Sequence, residues 1–477
     1  MTEATSTWGD LFRGNNGLRI AVLTGGVGLH AINVLMGETL LPSVVGDIGG
    51  LDLFAWNVSI FIVASIIASI FAAIRPFGIG PRSNYILATC AFGLGSLICG
   101  LAVNMPIMLV GRAVQGLGAG LLMALSYGMV RLIFPQNLWP RAISLVSGVW
   151  GVATLIGPAI GGVFAQLDAW RFAFILLVPL AFILCALSMR VIPRHSDERG
   201  VDNVPVLQVG LVVGAVLLIS VASVQTANPA LALALTLAAV LAIIWLGYAE
   251  RHSDRRLLPT GTFTAASVIA PLFATMLLLQ LSITSDVFVP LFLQRLHAQP
   301  PLMAGYLVAL LSLGWTTGSM LLSGQTGNNA RAVLVGGPIA VGLAAIGLAL
   351  FMARDNASGD LLLVLPVAAS LLLLGLGIGS AWPHLLTRLM AAAPEGEKDI
   401  TSAAISMVQL FASGFGAALG GTIVNLAGLS EKGSTQGAIH AANWLYSLFA
   451  LVPIIAIGTA LIVVRRANQP EGQLKPS

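Results

Sequence analysis

Apolar runs of about twenty residues, the length that a helix needs to cross a bilayer, recur along the whole chain. Short breaks that carry charges, prolines or glycines separate these runs. The pattern predicts fourteen transmembrane helices and no large soluble domain. The first seventeen residues lack the apolar core of a signal peptide, so we expect the first span to be retained. The predicted spans are 18–44, 54–74, 84–104, 106–130, 142–165, 171–191, 204–224, 230–249, 264–294, 302–323, 332–353, 361–387, 400–427 and 441–464.

The composition indicates which solvent surrounds these helices. The 477 residues are 57% hydrophobic and 9% charged, whereas about 25% of the residues of an average soluble domain are charged. Such a chain cannot cover itself with a water-compatible surface, so we expect membrane lipid around most of it. All three cysteines lie inside apolar runs, so neither a disulfide framework nor a metal site is predicted.

Positive charge is distributed unevenly between the predicted loops. With the N-terminus in the cytoplasm, eighteen of the 23 Lys and Arg residues fall in cytoplasmic loops or tails. The outer loops receive Arg171, Arg295, Arg354 and Lys432, and Arg112 stays within the membrane. The positive-inside rule therefore predicts a multi-pass protein of the inner (plasma) membrane with both termini in the cytoplasm. Because this bias accounts for the net charge of +4, nucleic-acid binding is not predicted.

Two glycine motifs occur twice in the chain, at one common offset of 259 residues. GLGAG at 116–120 in the fourth span matches GLGIG at 375–379 in the twelfth. The pattern S-x9-G-x3-GG runs through 147–162 in the fifth span and again through 406–421 in the thirteenth. Many transporters are built from duplicated bundles around a central site, so the repetition indicates two related halves.

The spans at 204–224 and 230–249 belong to neither repeat. We therefore predict an all-α membrane protein with two pseudo-symmetric six-helix bundles and an inserted two-helix hairpin. The predicted domains are an N-terminal bundle at 1–200, the hairpin with its cytoplasmic flanks at 201–256, and a C-terminal bundle with a cytoplasmic tail at 257–477.

Three stretches of the sequence resemble the fourteen-span drug:proton antiporter family of the major facilitator superfamily. They are LPSVVGDIGG at 41–50, LVGRAVQGLGAG at 109–120 and GVWGVATLIGPAIGG at 148–162. The resemblance covers nearly the whole chain and implies bundles of the major facilitator type, which export a solute by alternating access in exchange for protons. The chain departs from the family pattern at Asn33, where members often carry an acid, and at Phe77, where an Asp is expected.

Glu38 and Asp286 are the only acids well inside the predicted spans, and each precedes a proline by four residues. An ionised group at this depth costs several kcal/mol unless it is paired or hydrated. Arg112 lies about 10 Å below the outer end of its span, at a depth similar to that of Glu38. We therefore predict that Glu38 and Arg112 form a proton-coupling pair and that Asp286 recognises the substrate, with binding of a second proton as the alternative for Asp286. The alternatives are that the acids reach the outer interface and that Arg112 is a structural clamp.

Other polar or aromatic residues in the spans are second candidates for substrate binding. Histidine titrates near neutral pH, and amides and indoles can contact amphipathic or cationic ligands. The alternative for each is an interhelical hydrogen bond or simple packing. These candidates are His30, Asn33, Gln115, Gln280, Trp382 and His384.

The repeated glycines, with one proline, are candidates for gating. Small residues at this spacing let helices approach closely, and a proline removes a backbone hydrogen bond and permits bending. Packing alone would also explain them. These candidates are Gly157, Pro158, Gly161, Gly162, Gly416 and Gly420.

The motifs of other functional classes do not occur in the sequence. There is no GxxxxGK[ST] phosphate loop and no HExxH motif, so we expect neither a pump driven by nucleotide hydrolysis nor a metalloprotease, and no cofactor. We predict a monomeric, non-enzymatic, proton-coupled exporter of small amphipathic or cationic organic compounds. Export of an endogenous metabolite such as a siderophore, lipid or pigment stays open, as does a channel or receptor-like membrane protein.

Overall fold

The computed structural model describes residues 8–74, 80–194, 205–253, 255–429 and 435–466. All regular secondary structure within these ranges is helical, and fourteen stretches are long and apolar enough to cross a membrane. The predicted number of spans and the all-α class are therefore confirmed. Phe77 lies outside the described residues.

Seventeen α-helices and three 3-10 helices make up the described chain. The α-helices are α1 Trp8–Phe12, α2 Asn16–Ile48, α3 Trp56–Ile74, α4 Pro81–Gly100, α5 Met105–Ile133, α6 Trp139–Gln166, α7 Trp170–Val191, α8 Val206–Ser223, α9 Pro229–His252, α10 Ile269–Ile283, α11 Val289–Leu296, α12 Pro301–Leu322, α13 Gly327–Phe351, α14 Leu361–Ala392, α15 Lys398–Leu426, α16 Thr435–Phe449 and α17 Val452–Arg466. The 3-10 helices are Leu51–Leu53, Gln136–Leu138 and Thr284–Phe288.

The helices group into two compact units. The first unit contains the described residues within 1–50 and 60–204, and the second contains those within 51–59 and 205–477. The predicted hairpin helices α8 and α9 pack on each other, and α8 also packs on α15 of the second unit. The predicted domain boundaries, and the origin of the hairpin as an insert, stay predictions.

The two GLG motifs make close helix contacts, one inside each unit. In the first unit, a Cβ built at Gly116 would collide with the backbone of Phe61 in α3, and one at Gly118 with the backbone of Phe92 in α4. In the second unit, a Cβ at Gly375 would collide with the backbone of Leu311 in α12. Only glycine permits such an approach, so the motif allows α5 and α14 to pack against their neighbours without a gap.

The segment Leu51–Ser59 is held within the second unit by α8 and α15. The Asn425 side chain donates hydrogen bonds to the Asp52 carbonyl at 2.7 Å and to the Ser223 carbonyl at 2.9 Å. Trp56 Nε1 donates to the Ser220 carbonyl at 2.6 Å. Phe54 stacks on Phe288 with ring centroids 5.3 Å apart. Since these groups are buried or half-buried and paired, the segment is a fixed part of the second unit.

The ninth span is interrupted where it carries its acid. The 3-10 helix Thr284–Phe288, which includes Asp286, separates α10 from α11, and Pro290 lies in the first turn of α11. A proline lacks the N–H that would continue the hydrogen-bonding pattern of the preceding turn. In contrast, α2 continues as one α-helix through both Glu38 and Pro42. The two acids therefore occupy different backbone geometries.

Candidate functional site

Arg112 is the centre of a buried polar network in the first unit. Its Nη1 donates to Gln115 Oε1 at 2.7 Å and to Asn33 Oδ1 at 3.3 Å, and Gln115 Nε2 donates on to Ser96 Oγ at 2.8 Å. The guanidinium carbon lies 4.2 Å from the ring centroid of Phe61. Burial of a charge is tolerated when hydrogen bonds and a π-face replace its hydration, and this site supplies both.

Glu38 lies beside this network on α2. A Cβ built at its neighbour Gly37 would lie 3.9 Å from Arg112 Nη1, and the carboxylate of Glu38 interacts electrostatically with the guanidinium. Arg112 is 3% exposed, whereas Glu38 is only half-buried. Glu38 and Arg112 are therefore close to each other, and Glu38 is the more exposed of the two. Their role in proton coupling stays a prediction.

His30 and Asn33 complete the polar group of the first unit. The His30 ring lies 5.7 Å from the ring centroids of both Phe61 and Trp150. Its Nδ1 and the Asn33 Nδ2 are buried and have no hydrogen-bond partner among the described residues. A buried polar atom without a partner is costly, so these two atoms are available for a hydrogen bond to a water molecule or a ligand.

The acid of the second unit has a different environment. Asp286 is half-buried, and the backbone N–H groups of Asp286 and Val287 lie close to its carboxylate. The hydroxyl of Tyr446 is buried without a hydrogen-bond partner among the described residues, and its helix α16 packs on the 3-10 helix that carries Asp286. Nearby on α10, Gln280 Nε2 donates to Ser413 Oγ at 3.1 Å, and Gln280 Oε1 is buried without a partner. Tyr446 was not among the residues predicted from sequence.

His384 and Trp382 make their contacts elsewhere in the second unit, with α12. His384 Nε2 lies 2.8 Å from the Leu322 carbonyl at the end of that helix. Trp382 packs on Trp315 with ring centroids 5.2 Å apart. Among the described hydrogen bonds, none joins these residues to Asp286 or Gln280, so they form a separate group.

The repeated glycines of α6 pack directly on the acid-bearing segment of α2. A Cβ built at Gly157 would lie 2.7 Å from Leu35 Cβ and 3.2 Å from the Met36 nitrogen. One built at Gly161 would lie 2.8 Å from the Met36 carbonyl oxygen and 3.0 Å from Thr39 Cβ. Pro158 and Gly162 are buried in the same stretch of α6. These glycines therefore flank the position of Glu38.

The matching glycines of α15 pack in the same way around Asp286. A Cβ at Gly416 would collide with the Thr284 side chain, and one at Gly420 would lie 3.0 Å from the Phe288 ring. Thr284 and Phe288 are the first and last residues of the 3-10 helix that contains Asp286. In both units, the glycine-rich helix therefore covers the segment that carries the acid.

The sequence matches one protein-family model and several known proteins. The sequence model of the Major Facilitator Superfamily matches residues 23–205. A protein of Mycobacterium tuberculosis named a probable multidrug-efflux transporter is 37% identical over 95% of this chain and 96% of its own length. The multidrug efflux pump SdrM of Staphylococcus aureus is 26% identical over 80% of this chain and 82% of its own length.

Solved structures agree with this relationship at the level of the fold. A D-xylose-proton symporter superposes with a TM-score of 0.67 at 15% identity, over 97% of this chain and all of its own. A peptide transporter superposes with a TM-score of 0.65 at 14% identity, over 94% of this chain and 95% of its own. The mycobacterial relative and the family model show that the chain belongs to the Major Facilitator Superfamily.

Proposed function

We propose that this chain is a proton-coupled antiporter that exports small amphipathic or cationic organic compounds. The observation that carries the proposal is the buried Arg112 network with the half-buried Glu38 beside it. A carboxyl group next to a fixed cation gains or loses a proton when its hydration or its distance from that cation changes. Alternating exposure of such a group to the two sides of the membrane couples proton entry to solute exit. The similarity to the mycobacterial and staphylococcal efflux proteins supports multidrug export.

The second unit contains Asp286, to which we assign recognition of the substrate. Asp286 has no arginine counterpart in the repeat, because Leu371 occupies the position that matches Arg112. A half-buried carboxylate with no arginine at the matching position attracts a substrate cation, and the aromatic rings nearby suit an amphipathic body. We therefore assign proton coupling to Glu38 and Arg112, and charge recognition to Asp286.

We also propose a membrane location, a topology and an oligomeric state for the protein. The excess of positive charge in alternate loops supports insertion into the inner (plasma) membrane with both termini in the cytoplasm. The chain would work as a monomer, with protons and a small organic molecule as its ligands and lipid around it.

Transport in reconstituted vesicles tests the division of roles. With ethidium as the cationic probe and an imposed pH gradient, Glu38→Gln should abolish pH-driven efflux and retain ethidium exchange, because the amide cannot titrate. Glu395→Gln, which changes an exposed loop acid, is the matched control. Asp286→Asn should weaken efflux of ethidium and spare a neutral dye. Full pH-driven efflux by Glu38→Gln would contradict the assignment, and absence of any pH-driven efflux by the wild type would contradict the function.

A further inference from the structure

Asp286 lies at a point where several helices of the second unit meet. The 3-10 helix Thr284–Phe288 packs on α10, α11, α15 and α16. Its contact with α15 is made by Thr284 and Phe288, which face Gly416 and Gly420. The contact with α16 involves the helix that carries Tyr446, whose ring packs on Phe292 just after the 3-10 helix.

Tyr446 is fixed in position and incompletely paired. Its side chain is 1% exposed, and its ring packs edge-on against Phe292 with centroids 6.0 Å apart. Phe292 in turn packs on Phe288, at 6.3 Å, so a chain of ring contacts connects Tyr446 to the 3-10 helix that carries Asp286. The hydroxyl has no hydrogen-bond partner among the described residues. A tyrosine hydroxyl usually finds a partner when it is buried, so this one is poised to make a bond.

The other charged or titratable groups on these helices are exposed or lie several turns away along their helix. The sequence of α10 carries none. Arg295 in the last turn of α11 is exposed, and so is His440 in α16. The charged positions of α15 lie in its first turn, more than four turns before Gly416. Among the described residues, Tyr446 is therefore the buried titratable side chain of these four helices.

We propose that Tyr446 is a positioning residue for Asp286. Its hydroxyl donates a hydrogen bond to a water molecule that bridges to the carboxylate, and this bridge holds the acid in the orientation that receives a cationic group. The inference rests on the proposed export function and adds a specificity-determining residue to it. Tyr446 itself does not touch the substrate, and its effect passes through Asp286.

A double-mutant cycle with transport kinetics tests the coupling. Tyr446→Phe removes only the hydroxyl, and we expect it to raise KM for ethidium several-fold at unchanged kcat, with no effect on a neutral dye. In the Asp286→Asn background the same change should have no further effect, because the acid that the hydroxyl positions is gone. Tyr306→Phe, on the exposed face of α12, is the matched control. Equal losses for cationic and neutral dyes, or additive effects in the double mutant, would overturn the proposal.

A spectroscopic measurement keeps the test independent of transport. Infrared difference spectra of the purified protein at low and high pH contain a carboxyl band of Asp286, identified by its loss in Asp286→Asn. Loss of the water-mediated hydrogen bond should move this band to higher frequency in Tyr446→Phe and leave it in place in Tyr306→Phe. An unchanged band in Tyr446→Phe would show that no water bridge joins the hydroxyl to the acid, whatever the protein transports.

Discussion

At the scale of the residue, the contacts of Arg112 depend on the planar shape of its guanidinium group as well as on its charge. One guanidinium nitrogen reaches both Asn33 and Gln115, and the flat face of the group covers Phe61. A lysine ammonium is compact and strongly hydrated, and it has no planar face. The site is therefore specific for arginine, although either residue would supply the positive charge.

This specificity gives a prediction for Arg112→Lys. We expect pH-driven efflux to fall at least tenfold although the charge is kept, because the lysine cannot bond both amides and stack on the ring at once. The measurement is the initial rate of dye efflux in vesicles. Arg131→Lys, near the exposed end of the same helix, is the control and should retain the wild-type rate. Wild-type efflux by Arg112→Lys would show that charge alone is sufficient.

Some residues of the candidate site can be predicted from the sequence, and others cannot. Glu38, Arg112 and Asp286 stand out because ionisable residues are rare in apolar runs. Tyr446 does not stand out, because its ring matches the apolar pattern and only the packing of α16 on the 3-10 helix places it in this part of the second unit. His384 was predicted as a ligand candidate, and its contact with the Leu322 carbonyl depends on where α12 ends.

At the scale of the element, two glycines of α6 test how much the close packing of α6 on α2 contributes to stability and transport. A Cβ at Gly157 meets Leu35 and Met36, whereas one at Gly151 has no atom within 4 Å. Overpacking of a tight contact costs about 1–3 kcal/mol. We therefore expect Gly157→Ala to lower the thermal stability and the efflux rate, and Gly151→Ala to leave both unchanged. Equal behaviour of the two variants would show that the close contact is unimportant.

The sequence repeat predicts which helices correspond in the two units, but it does not predict the backbone geometry around the two acids. The offset correctly paired α6 with α15, and both helices use the same glycines against the acid-bearing segment. However, a proline follows the acid at the same distance in both halves, and only the second half forms a 3-10 helix there. The difference depends on the surrounding packing, which a single sequence does not encode locally.

At the scale of the whole molecule, the predicted orientation places alternate loops on opposite sides of the membrane. Gly324 lies between the tenth and eleventh spans, and Ala357 lies between the eleventh and twelfth; both positions are exposed. In intact cells, a membrane-impermeant maleimide should label Ala357→Cys and should label Gly324→Cys only after permeabilisation. The wild type, with its three native cysteines, gives the background. The reverse labelling pattern would invert the topology.

The attachment of residues 51–59 to the second unit has a consequence for biosynthesis. Asp52 precedes its partner Asn425 by 373 residues, and Trp56 precedes Ser220 by 164. At a synthesis rate of about 5–20 residues per second, Asp52 leaves the ribosome on the order of tens of seconds before Asn425 is made. During that interval the Asp52 carbonyl lacks its Asn425 partner, whereas Ser220 and Phe288, the partners of Trp56 and Phe54, are synthesised earlier. The last hydrogen bond of this early segment therefore awaits the thirteenth span, so its maturation is completed late, after the earlier spans are made.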